Sequence, residues 1–183
     1  MLYSTDKQKA IAVHEAGHAV VAVSEMLPII CATIQPTKEY SGCVFFKDPP
    51  IHIANEKHRR FSAEKQRTYL EAHALSSLAG SIAEFEHYYR TIRKPKPKKW
   101  IRTNQGARED RHQASEWIVR LVGSEEELQL YTEWLFQRAK QTVTLYWKQI
   151  QAVQEALLQH TTLTGKDVKQ AVRETFEGKL RSR

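Results

Sequence analysis

The chain has 183 residues and a mass of 21.2 kDa, the size of one domain or at most two small ones. At 41% apolar and 27% charged it has globular composition, which excludes a disordered or collagen-like chain. No apolar run approaches the roughly 18 residues of a membrane span, and no basic-then-apolar leader opens the chain. Neither a membrane anchor nor export is therefore expected, and the expected compartment is the cytoplasm. The formal charge of +7 is concentrated: Arg90 to Arg102 holds seven basic residues and no acidic one, and the rest of the chain balances. The pI near 9.4 thus reports one basic segment, and a nucleic-acid-coating surface is not expected. Cys31 and Cys43 match no zinc-finger or CxxC spacing and are expected as buried or half-buried free thiols.

Ser4-Thr5-Asp6 offers a helix N-cap, and Ile11, Val13, Val20, Val21 and Val23 fit a mostly buried helix to about Met26, ended by Pro28. Ile29 to Gln35 is β-branched and apolar and reads as a strand. A turn at Lys38 to Gly42 leads to a returning strand, Gly42 to Lys47. In such a hairpin Cys31 and Cys43 are not directly opposed. Asp48-Pro49-Pro50 breaks the strand, and an irregular stretch follows to about Phe61. Leu70, Ala74, Leu75, Leu78, Ile82 and Phe85 then mark a helix to about Tyr89. Pro95 and Pro97 keep the basic loop, residues 90–106, out of helical conformation.

A helix resumes from about Ala107 to Leu121, and Gly123-Ser124-Glu125-Glu126-Glu127 ends it and caps the next. That next helix is long, to about Gln159, with room for a bend. Leu163 to Asp167 reads as a turn and cap before a final helix, Asp167 to Phe176. The expectation is one mainly α domain over residues 1–183 with a small β-hairpin or sheet.

His14-Glu15-Ala16-Gly17-His18 is an HExxH motif. Residues four apart on a helix lie about 40° apart around the axis, so both imidazoles reach one ion. Glu15 is offset by about 100°, beside the ion, where it can take a proton from water and pass it to a leaving amine. Zinc suits these donors, since it accepts imidazole nitrogen and keeps one position open beside three protein ligands. HExxH fixes only three positions and arises by chance, but here it falls within the apolar helical pattern of residues 11–23, with small neighbours. A third ligand must come from elsewhere, and Glu71, His73, Glu84, Glu86, His87, Glu109, Asp110 and His112 are the candidates.

Beyond this motif the chain resembles the zinc metallopeptidase domain of the FtsH AAA-protease family. His14-Glu15-Ala16-Gly17-His18-Ala19 matches that family's HEAGHA, and Thr33-Ile34-Gln35-Pro36, followed by Gly42, resembles its T-I-x-P strand. Leu78-Ala79-Gly80-Ser81-Ile82-Ala83-Glu84 resembles L-G-G-R-x-A-E, and Gly106-Ala107-Arg108-Glu109-Asp110 resembles G-A-x-N-D. Leu163-Thr164-Gly165-Lys166-Asp167-Val168 is similar to L-T-G-E-E-I. The matches run in the family's order over nearly the whole chain.

The resemblance implies a zincin-like helical domain in which Asp110 is the third zinc ligand. It also implies Glu84 as a carboxylate behind the ligands or an alternative ligand. Glu109 and Ser81 depart from the family's Asn and Arg, and the family's ATPase and membrane segments are absent, with no phosphate-binding G-x-x-x-x-G-K-[ST] present. The expected function is an ATP-independent zinc endopeptidase acting on unfolded or flexible protein substrates. The alternatives are a subunit fed by a separate ATPase, a non-catalytic zinc-containing module, and a regulatory zincin that cleaves a repressor. The basic segment Arg90 to Arg102 is a solvated loop or a dock for an acidic partner. Nucleic acid and membrane are not expected partners, and an oligomer is allowed.

Overall fold

The computed structural model describes residues 2–47, 63–91 and 105–181. The irregular stretch expected to Phe61 and residues 92–104 of the basic loop, with Trp100, lie outside the described residues; the ends of the loop expected over 90–106 are helical, Arg90 and Thr91 closing one helix and Gln105 and Gly106 opening the next. The elements run α1 (Leu2–Ser24), β1 (Ile29–Thr33), β2 (Cys43–Phe46), α2 (Ala63–Thr91), α3 (Gln105–Ile118), α4 (Glu125–Leu145), α5 (Trp147–His160), β3 (Thr162–Thr164) and α6 (Gly165–Arg181). The chain is mainly helical with one small sheet, as its pattern predicts.

α1 is rich in Ala and Val and buried nearly all round, with Ala12, Val13, Ala16, Ala19, Val20, Val21 and Ala22 in the core. Such a helix must be covered on several sides, and α2 and α5 supply that cover. At Gly17 a Cβ atom would lie 2.6 Å from Ala83 Cβ and 2.8 Å from the Ala79 carbonyl, so α1 and α2 cross closely. α1 ends in a left-handed residue, Met26, at φ 60°. The Leu27 N–H reaches back to Ala22 O at 2.8 Å and the Met26 N–H to Val23 O at 3.1 Å, a Schellman closure that Pro28 then makes final. α2 is the central helix, buried almost continuously from Leu70 to Ala83 and touching α1, α3 and α4. Full burial of Leu70, Leu75 and Leu78 contributes about 1.5–3 kcal/mol each.

The sheet has the order β2-β1-β3, antiparallel throughout. Cys31 faces Phe45 and Thr33 faces Cys43, so the two thiols are diagonal, free and half-buried, as expected. The third strand corrects the reading of Leu163 to Asp167 as turn and cap alone. Thr162-Leu163-Thr164 is too short to carry an alternation signal, and its last residue serves both purposes. Thr164 pairs with Cys31 in the sheet, and it caps α6 reciprocally: its N–H donates to Asp167 Oδ2 at 2.8 Å and its Oγ1 accepts from the Asp167 N–H at 3.3 Å.

The long helix expected to Gln159 divides at Tyr146 (φ −97°, ψ 22°) into α4 and α5. The hydrogen bonds Tyr146 N to Thr142 O and Ile150 N to Tyr146 O, 2.9 and 3.0 Å, carry the chain through the bend. The expected cap before α4 is present: Ser124 Oγ accepts from Glu127 N and Glu127 Oε2 accepts from Gly123 N. β1 stops at Thr33, short of Gln35, and α6 extends to Arg181, beyond Phe176. Among the described residues no helix is long and apolar enough to cross a membrane.

Candidate metal centre

α1 places His14 and His18 one turn apart, with ring centroids 4.7 Å apart and planes at 80°. The second wall is α2, where Gly80 lies under the His18 ring; a Cβ there would land on that ring. α3 brings in Asp110, 8% exposed, and the Ser81 N–H donates to its Oδ2 at 3.2 Å. Donor atoms of His14, His18 and Asp110 all lie within 4.8 Å of one another, a group that could hold a metal ion.

The hydrogen bonds behind the rings fix what faces inward. His18 Nδ1 lies 2.6 Å from the Ser76 carbonyl, which can only accept, so Nδ1 carries the proton. His14 Nδ1 likewise donates to Glu84 Oε2 at 3.1 Å. In the neutral rings both Nε2 atoms then turn lone pairs inward, 3.0 Å from each other. Asp110 adds carboxylate oxygens at 3.6 Å from His14 Nε2 and 3.4 Å from His18 Nε2. Donor atoms this close need a positive charge between them, either a proton or a metal cation. Two nitrogens at zinc-ligand distance on a tetrahedral ion lie about 3.3 Å apart, close to the observed spacing. The donor set, two imidazoles and one carboxylate, fits zinc.

The same convergence governs protonation. Burial opposes charge on His14, but the hydrogen bonds of Asp110 and Glu84 outweigh it and raise its pKa to about 10. His18 is raised too, against its burial, chiefly by the charge of Asp110. Burial would raise Asp110, yet the two histidines hold it well below the usual carboxylate range. Glu15, 5% exposed, is raised by burial, with the histidines opposing.

The group lies on the floor of a cleft of about 740 Å³, which Glu15, Gly42, Val44 and Phe46 also line. Gly42 gives Glu15 its space: a Cβ there would sit 2.6 Å from Glu15 Oε1.

Of the other candidates in sequence, Glu84 stands behind His14 and not among the converging donors. Glu71 accepts from Arg67 at 2.8 Å and from the Tyr131 hydroxyl, and Glu86 pairs with Arg90 at 2.7 Å. His112 is exposed beside Glu116, while Glu109 lines the cleft. Burial, then Lys9, lowers the pKa of His87. His73 is enclosed by rings: Trp117 stacked at 4.4 Å, Tyr69 at 4.5 Å and Phe46 at 5.1 Å between centroids. The sequence reading missed the Ser76 carbonyl, the Ser81 N–H and the spaces at Gly42 and Gly80. Only the glycines leave a trace in sequence. No protein-family model and no curated protein matches the chain, so the likeness to the FtsH peptidase domain rests on the sequence motifs.

Proposed function

We propose that this protein is an FtsH-like zinc endopeptidase, working without an ATPase of its own on unfolded or flexible protein substrates. The observation that carries the reading is the inward convergence of two imidazole lone pairs and a carboxylate beside a buried glutamate on a cleft floor. His14, His18 and Asp110 would hold the ion. Zinc bound there supplies Lewis acidity, polarising a substrate carbonyl and lowering the pKa of water toward 7. Glu15 takes the proton from the attacking water at its carboxylate and delivers it to the departing amide nitrogen. Glu84 and the Ser76 carbonyl hold the two rings in the tautomer that presents Nε2. A cleft open to a strand edge accepts an extended chain, which suits an unfolded or flexible substrate.

Glu15→Gln tests this. It keeps the shape and hydrogen bonding of the side chain but cannot accept the proton. It should bind zinc like the wild type and lose casein cleavage by roughly 100- to 10,000-fold. ATP should leave the wild-type rate unchanged. A zinc-loaded wild type that cleaves no casein would overturn the stand-alone reading in favour of a subunit fed by a separate ATPase or a non-catalytic module.

A further inference from the structure

One turn beyond Asp110 on α3 stands Gln113, a side chain that neither the metal group nor the proton transfer uses. Residues three apart share a helix face, and both line the cleft. The Gln113 amide is anchored from the next helix. Ser77, buried on α2, donates its hydroxyl to Gln113 Oε1 at 3.2 Å. That contact engages the amide's acceptor. The two N–H donors of Nε2 have no partner among the described residues, and Gln113 is exposed.

Facing contacts come from the sheet. β2 is an edge strand, and its Val44 and Phe46 line the same cleft. An extended peptide turns its main-chain carbonyls alternately to its two sides. A chain lying along β2 therefore offers every second carbonyl to the helical wall.

We propose that Gln113 is a substrate-binding residue whose Nε2 donates to a main-chain carbonyl of an extended peptide, with Ser77 as its positioning residue. This rests on the peptidase reading and names what the α3 wall recognises: peptide backbone, independent of side-chain identity. That is the recognition an unfolded substrate of varied sequence requires. A single neutral hydrogen bond of this kind amounts to about 3- to 10-fold in affinity. Made equally in the ground and transition states, it acts on KM and leaves kcat alone.

The test measures binding and cleavage separately. Fluorescein-labelled β-casein is titrated by anisotropy with the zinc-loaded Glu15→Gln protein, and KM and kcat for the same casein are measured with Glu15 intact. Gln113→Ala should weaken binding about 3- to 10-fold and raise KM by the same factor, with kcat and zinc content unchanged. Gln113→Glu, which offers only an acceptor, should weaken it at least as much, and Ser77→Ala about 2- to 3-fold. Unchanged affinity in Gln113→Ala, wild-type affinity in Gln113→Glu, or zinc loss in Gln113→Ala overturns the proposal, as does a Glu15→Gln protein that binds no casein. If the binding series appears but the Glu15-intact chain cleaves nothing, the Gln113 contact stands and the peptidase reading falls.

Discussion

His73 should make the protein acid-sensitive in a window set by its aromatic enclosure. The residue is 5% exposed, its Nε2 has no hydrogen-bond partner among the described residues, and three aromatic rings surround it. Burial alone lowers its pKa from 6.5 to about 4. Between those values the unfolded chain carries a proton that the folded one refuses. The His73 contribution is therefore fully present above about pH 6.5, falls as the pH drops towards 4, and changes no further below. A shift of this size corresponds to about 3 kcal/mol at most, a large share of a small domain's total. The assay is urea unfolding of the metal-free wild type and His73→Phe between pH 7 and pH 4. Phenylalanine keeps a flat ring in the enclosure and cannot titrate. The other titrating groups are common to both proteins, so the difference isolates His73. The stability gap should shift in favour of His73→Phe by up to about 3 kcal/mol on acidification. Parallel curves across the window would refute the reasoning.

Three further substitutions probe the metal group. Gly80→Ala should fold with α2 intact yet lose zinc, because the new methyl displaces the His18 ring; inductively coupled plasma analysis of the purified protein against its circular dichroism reads both. Glu84→Ala should retain the fold and lower zinc affinity about 10- to 100-fold through the freed His14 ring, while Asp110→Ala should lose more, as competition with a chromophoric chelator would measure.

What could be read from sequence was whatever one element carries by itself. The two histidines announce themselves because helical spacing alone puts them on one face, and the reciprocal Ser124–Glu127 cap is equally local. Asp110 was one of several candidates by physics alone; motif resemblance singled it out, and the fold brings it beside His18, 3.4 Å away. β3 escaped notice because three residues carry no periodicity. The bend at Tyr146 arises where the helical pattern itself continues. The Ser76 carbonyl that fixes the His18 tautomer belongs to the backbone, so no choice of side chain could reveal it.

The close crossing at Gly17 changes what the HExxH pattern means here. The two middle positions of such a motif are written as free, yet in this chain one of them is a spacer gauge. A methyl at Gly17 would meet Ala83 and the Ala79 carbonyl, and the helices would have to separate. The same α2 carries Gly80 under His18, Glu84 behind His14 and the Ser81 N–H that steadies Asp110. Separating the helices would therefore loosen all three supports together. Substitution tolerance along the motif does not follow distance from the converging donors: Gly17, with no donor atom in the site, is held to a narrow choice by the helix crossing.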